Sequence, residues 1–91
     1  MKMDEEQKLA DGAPSALRRL RYSNSVDEVA ALADEIRGPH DVRIGWSVAR
    51  HDSWIAICHL RDALRGQKQN ANLSELWDKA IRNTEAWVRV S

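Results

Sequence analysis

Few side chains in this chain could do chemistry, and most of them sit together. His51, Cys58, His59 and Asp62 fall within one stretch of the 91 residues. As text they resemble a metal-ligand set, or a thiol with a histidine base. A metal ion needs three or four ligands that converge on one point. If the stretch is helical, His51 and Cys58 stand about 10.5 Å apart along the axis. His59 and Asp62 lie one turn apart and could share an ion, but Cys58 projects about 100° away from His59. The same spacing keeps a base from the thiol, and no oxyanion loop is in view. A helical cysteine is ordinarily a small packed hydrophobe. His40, beside Pro39, reads as a loop residue. The glycines Gly12, Gly38, Gly45 and Gly66 are scattered and form no phosphate-cradling loop. We assign no catalytic residue, no metal and no cofactor, and expect a protein that is not an enzyme.

The residue types suited to binding are better supplied. There are four tryptophans and no phenylalanine, and arginine outnumbers lysine ten to four. Tryptophan and arginine are the favoured anchors of protein interfaces. Fourteen acids balance fourteen Lys plus Arg. That balance excludes a basic footprint over the whole protein, though not a local one.

The elements that position these residues are helical. No stretch alternates with period two for long enough to make a strand. Residues 1–13 carry little apolar content and read as a flexible segment. Residues 14–91 read as one domain, opening with a short helix over about 14–22 that starts at Pro14. Ser25 with Glu28 is a capping box for a helix over 26–37, which Gly38 and Pro39 stop. The next helix runs from about 41 to 67 and is roughly 39 Å long. Asn72 caps the last, over 73–90, with an apolar face of Leu73, Leu76, Trp77, Ala80, Ile81, Thr84, Trp87 and Val88. Glu75–Lys79, Asp78–Arg82 and Glu85–Arg89 have the spacing of ion pairs along its solvated side. Short connections make neighbours antiparallel, so the fold class is all-α, a small bundle of three main helices and a short N-terminal one.

On a wheel, the helix over 41–67 shows three stripes. Val42, Trp46, Ala49, Ser53, Ala56, Ile57, Leu60 and Leu64 form the core face. Ile44, Val48, His51, Ile55, His59 and Asp62 recur at alternating four and three, the spacing of a helix–helix seam. The helix over 26–37 is too short to cover a partner of 39 Å, so a second copy is expected on that seam, making a homodimer through Ile44, Val48, His51, Ile55 and His59. The third stripe holds Arg43, Ser47, Arg50, Trp54, Arg61, Arg65 and Lys68. Trp54 among Arg43, Arg50, Arg61 and Arg65 is the expected anchor for a different partner protein.

The function expected is therefore protein–protein interaction. The chain would act as a small regulator or inhibitor of the anti-activator, immunity or adaptor type. The alternative is nucleic-acid binding through the Arg43–Lys68 stripe, although Pro39 and the long helix fit a helix-turn-helix reader poorly. The polar start, Met1 to Lys8, lacks the apolar core of a signal peptide. No apolar run approaches the roughly 20 residues of a membrane span. Cys58 is the lone cysteine, which suits a reducing compartment, and a cytoplasmic location without membrane contact is expected.

Overall fold

A computed structural model describes residues 5–38, 45–66 and 72–90. Its elements are α1 (Glu5–Ser23), α2 (Val26–Arg37), α3 (Val48–Leu64) and α4 (Leu73–Val90), with no strand among the described residues. The helices form a ring in which α1 packs on α2, α2 on α3, α3 on α4, and α4 back on α1. Arg21 meets Asp78 while Arg18 meets Glu85, so α1 and α4 are antiparallel. Ser53 meets Thr84 while Val48 and Val90 share a groove, so α3 and α4 are antiparallel too.

Two helix starts differ from the sequence expectation. The N-terminal helix is not short: it begins at Glu5 rather than Pro14 and is 19 residues long. The stretch expected to be flexible places Ala10 and Ala13 in the interior. They continue the stripe of Leu17 and Leu20 at helical spacing. Pro14 lies inside the helix, where its missing amide leaves the Ala10 carbonyl without its intrahelical donor. Burial of Ala10, Ala13, Leu17 and Leu20 carries the helix through that cost.

The other difference is at α3, which starts at Val48 rather than about 41. Gly45 stands at φ +88°, a left-handed backbone that ends any regular helix there. Ser47 is the N-cap, its hydroxyl accepting from the Arg50 amide at 3.0 Å. Trp46 and Ser47 therefore precede the helix. Val42, Arg43, Ile44, Gln67 and Lys68 lie outside the described residues. At 17 residues, α3 matches the 19 of α1 and the 18 of α4. The helix expected to outrun its neighbours is therefore shorter than expected, although it still exceeds the 12 residues of α2.

The other caps follow the sequence. Asn24 takes the left-handed conformation, φ +53°, and its amide reaches the Leu20 carbonyl at 2.8 Å. Asparagine tolerates that region better than other side chains bearing a Cβ. Ser25 immediately caps α2, accepting from the Glu28 amide. Asn72 caps α4 through the Glu75 amide at 3.2 Å.

The core gathers Leu17, Val29, Ile36, Ile57, Leu60, Trp77 and Trp87 around Ala33 and Ala80. Small residues where α3 meets α4 let the two helices approach closely. One buried polar pair stands among them, Ser53 with Thr84 at 2.8 Å. No described helix is long and apolar enough to cross a membrane.

Candidate functional site

The stripe of Arg50 and Trp54 does not lie on an open face. α2 packs on that side of α3. The Arg50 guanidinium donates to the Ile36 carbonyl near the end of α2. A cation there complements the negative end of the α2 dipole. The same guanidinium stacks 4.2 Å above the Trp46 ring and lies 5.8 Å from that of Trp87. Cation–π contact of this kind is worth about 0.5–1 kcal/mol when exposed and more when desolvated. Trp46, His51 and Trp54 meet edge to face, with centroids 5.8–6.2 Å apart. Trp54 and Trp46 are half-buried and pack against the core. Arg61 turns to its neighbour Asp62 at 3.2 Å, and Arg65 stands exposed at the end of α3. The expected line of cations is thus broken. Arg50 points into the α2–α3 junction, Arg61 is paired, and Arg43 falls outside the described residues.

The seam residues fare differently. Val48 and His59 are exposed and Ile55 is half-buried, so this side of α3 faces outward. His51 leaves it for the tryptophan cluster. Ile44 lies outside the described residues. Cys58 is half-buried beside the seam. Burial pushes its thiol pKa up, Arg61 pulls it down, and Asp62 and Asp34 push it up again. A thiol held protonated is a poor nucleophile. Among the described residues no three potential metal ligands converge.

Two grooves flank α4, and the sequence reading identified neither. The first runs between the start of α3 and the end of α4, lined by Ser47, Val48, Ala49, Asp52, Asn83, Ala86 and Val90. Val48 is 77% exposed and Val90 65%, among the largest exposures of any large apolar side chain here. Ala49 and Ala86 form a shallow floor between them.

The second groove, about 390 Å³, runs between α1 and α4 and is lined by Arg18, Arg21, Tyr22, Asp78, Ile81, Arg82 and Glu85. Asp78 was expected to pair with Arg82, and Glu85 with Arg89. Both carboxylates turn instead across the helix interface. Arg21 donates to Asp78 at 2.7 Å and to the Ser74 hydroxyl at 3.0 Å, while Arg18 pairs with Glu85. The reason is competition: an arginine from a neighbouring helix reaches the carboxylate that would otherwise serve its own helix. A usable signal was present in the alternating line Asp78, Arg82, Glu85, Arg89 on α4, opposite Arg18 and Arg21.

The chain matches no family model, no curated protein and no solved structure.

Proposed function

We propose that this protein is a non-enzymatic interaction module that occupies the surface of a partner protein, in the manner of a small regulator, inhibitor or adaptor. One observation carries the reading. Val48 and Val90 are exposed on two different helices and line the same groove over Ala49 and Ala86. An apolar side chain left in water forfeits about 1.5–3 kcal/mol that full burial would return. Two such residues at one groove make a compact contact point, and polar neighbours, Asp52 and Asn83, rim it. Interfaces have this layout, with an apolar centre inside a polar rim.

The partner we favour is a different protein rather than a second copy. Obligate homodimers bury about 1,000 Å² or more per subunit, with a largely apolar interface. Along α3 the outward face carries Asp52, His59 and Asp62 around Val48 and Ile55. Nucleic acid is a weaker partner, because Arg50 and Arg61 are turned to other work.

The test compares the full chain with its Val48→Asp/Val90→Lys variant as bait in an extract of the source cells. Proteins held by the wild type and lost from the variant are purified, and hydrogen exchange maps their footprint. Protection over 47–52 and 83–90 is the expected result. Identical retention by both baits, or a footprint elsewhere, overturns the reading. Sedimentation at micromolar concentration should show a monomer; a dimer split by Val48→Asp would assign the face to a second copy.

A further inference from the structure

The groove between α1 and α4 lies on the opposite flank of α4 from Val90, and the reading above makes no use of it. We propose that it is a second docking surface, built for a short acidic segment of a partner protein in which a carboxylate neighbours an apolar side chain.

The charge pattern is the first reason. Three guanidinium groups, Arg18, Arg21 and Arg82, line the groove with two carboxylates, Asp78 and Glu85. The carboxylates are engaged by Arg21 and Arg18. Arg82 is exposed and makes no hydrogen bond or ion pair among the described residues. One cation is therefore left over, held at the groove between two that are already anchored. An arginine presents five donors in a fixed fork suited to a carboxylate. Arg21 is braced on both Asp78 and Ser74, so its own position is fixed.

The apolar half of the recognition comes from Tyr22 and Ile81. Tyr22 is 91% exposed at the rim, near the end of α1, the greatest exposure of any large apolar or aromatic side chain described. Its ring can cover an aliphatic or aromatic side chain while its hydroxyl stays in water. Tyrosine and arginine side by side are the pairing that interface hot spots favour.

Dimensions and sign narrow the occupant. From Asp78 to Glu85 the groove is about 10.5 Å long at 1.5 Å per residue. That length takes about three residues of extended chain. The lining residues sum to one net positive charge. A nucleic-acid backbone needs several uncompensated cations, and here it would meet Asp78 and Glu85 as well. A single carboxylate needs only Arg82, because Glu85 and Asp78 are already paired with Arg18 and Arg21.

The probe is a capped pentapeptide with one central glutamate between two leucines and an alanine at each end, titrated into the full-length 15N-labelled chain. We expect amide shifts confined to 18–22 and 78–85. The leucine–glutamine analogue should bind roughly tenfold more weakly, the scale of one charge-assisted contact. Arg82→Gln should lose about the same factor, Arg82→Lys less, and Val48→Asp nothing. Arg82 is exposed and has no partner among the described residues, so its variants should keep the wild-type melting temperature. Absence of shifts at millimolar peptide overturns the proposal, as does equal binding of the glutamine analogue. It is likewise overturned if the shifts map to other residues, or if inorganic phosphate or a short single-stranded oligonucleotide binds these residues more tightly than the peptide.

Discussion

Ser53 on α3 and Thr84 on α4 share a hydrogen bond of 2.8 Å with no exposure to solvent on either side. Its direction can be worked out. The Thr84 hydroxyl has one proton and gives it to the Ala80 carbonyl at 2.7 Å. Ser53 must therefore be the donor to Thr84 Oγ1. The bond sits in an otherwise apolar contact, so it fixes the register of α3 on α4. Both grooves depend on where α4 is held.

Breaking one half of that pair should cost more than removing both. Thr84→Val leaves the Ser53 hydroxyl buried without its acceptor, at about 1–3 kcal/mol. Ser53→Ala removes the donor alone, and Thr84 keeps its bond to Ala80, so about 1 kcal/mol is expected. The double variant should lose less than the two summed. Urea unfolding of the four proteins gives the coupling energy. Strict additivity would show that the pair does not act as a unit.

Trp54 was expected to be an exposed anchor; the structure places it half-buried against the core, edge to face with Trp46 and His51. Trp54→Ala is therefore expected to destabilise the fold by about 3 kcal/mol, the lower end for large aromatic truncations. Thermal unfolding checks this. A variant that melts like the wild type would return Trp54 to the surface role.

The raised pKa of Cys58 makes a statement about alkaline pH. Burial is its largest cause, opposed by Arg61. The folded thiol ionises at higher pH than the unfolded one. Its contribution to stability is then fully present below the ordinary thiol range, about 8.5, and is lost as pH rises through the folded value. Stability should fall more steeply above pH 9 in the wild type than in Cys58→Ala. Labelling by a disulfide reagent at neutral pH should be slow compared with free cysteine. Equal slopes, or rapid labelling, would contradict the burial described.

Much of the architecture could be read from the chain because its signals are local. Ser25 and Asn72 cap through their own side chains, Asn24 turns the chain through its left-handed backbone, and the α4 apolar face repeats at regular spacing. The starts of α1 and α3 could not, since each is decided by competition. Pro14 and Gly12 argue against helix where burial of Ala10 and Ala13 demands it. Gly45 tolerates helix but adopts φ +88°, and Ser47-Val48-Ala49-Arg50 lacks the reciprocal acid that marks a capping box. The error at α3 carried Trp46 and Ser47 into a helix they precede. The placement of Arg50 and Trp54 could not be read for a related reason. A wheel gives the angle between Arg50 and Leu60 but not which neighbour arrives, and α2 covers the side that looked open. The grooves join residues some 30 to 70 positions apart, a relation that no single-helix pattern contains.

The Val48–Val90 face can be tested without disturbing the fold. α3 has no acid in its first turn, so Val48→Asp adds a charge that the helix N-terminus favours. Val90→Lys adds a cation at the end of α4, where Arg89 already sits favourably. Each change should hold or raise stability, by about 0.3–1 kcal/mol at low salt. Both remove apolar surface from the groove. The decisive measurement is calorimetric titration of the partner captured by the wild type into wild type and double variant, with melting temperatures taken alongside. We expect the double variant to bind at least about tenfold more weakly, in the range of lost interface anchors, with its melting temperature unchanged or higher. Equal affinity of the two proteins for that partner would contradict the assignment of this face to function.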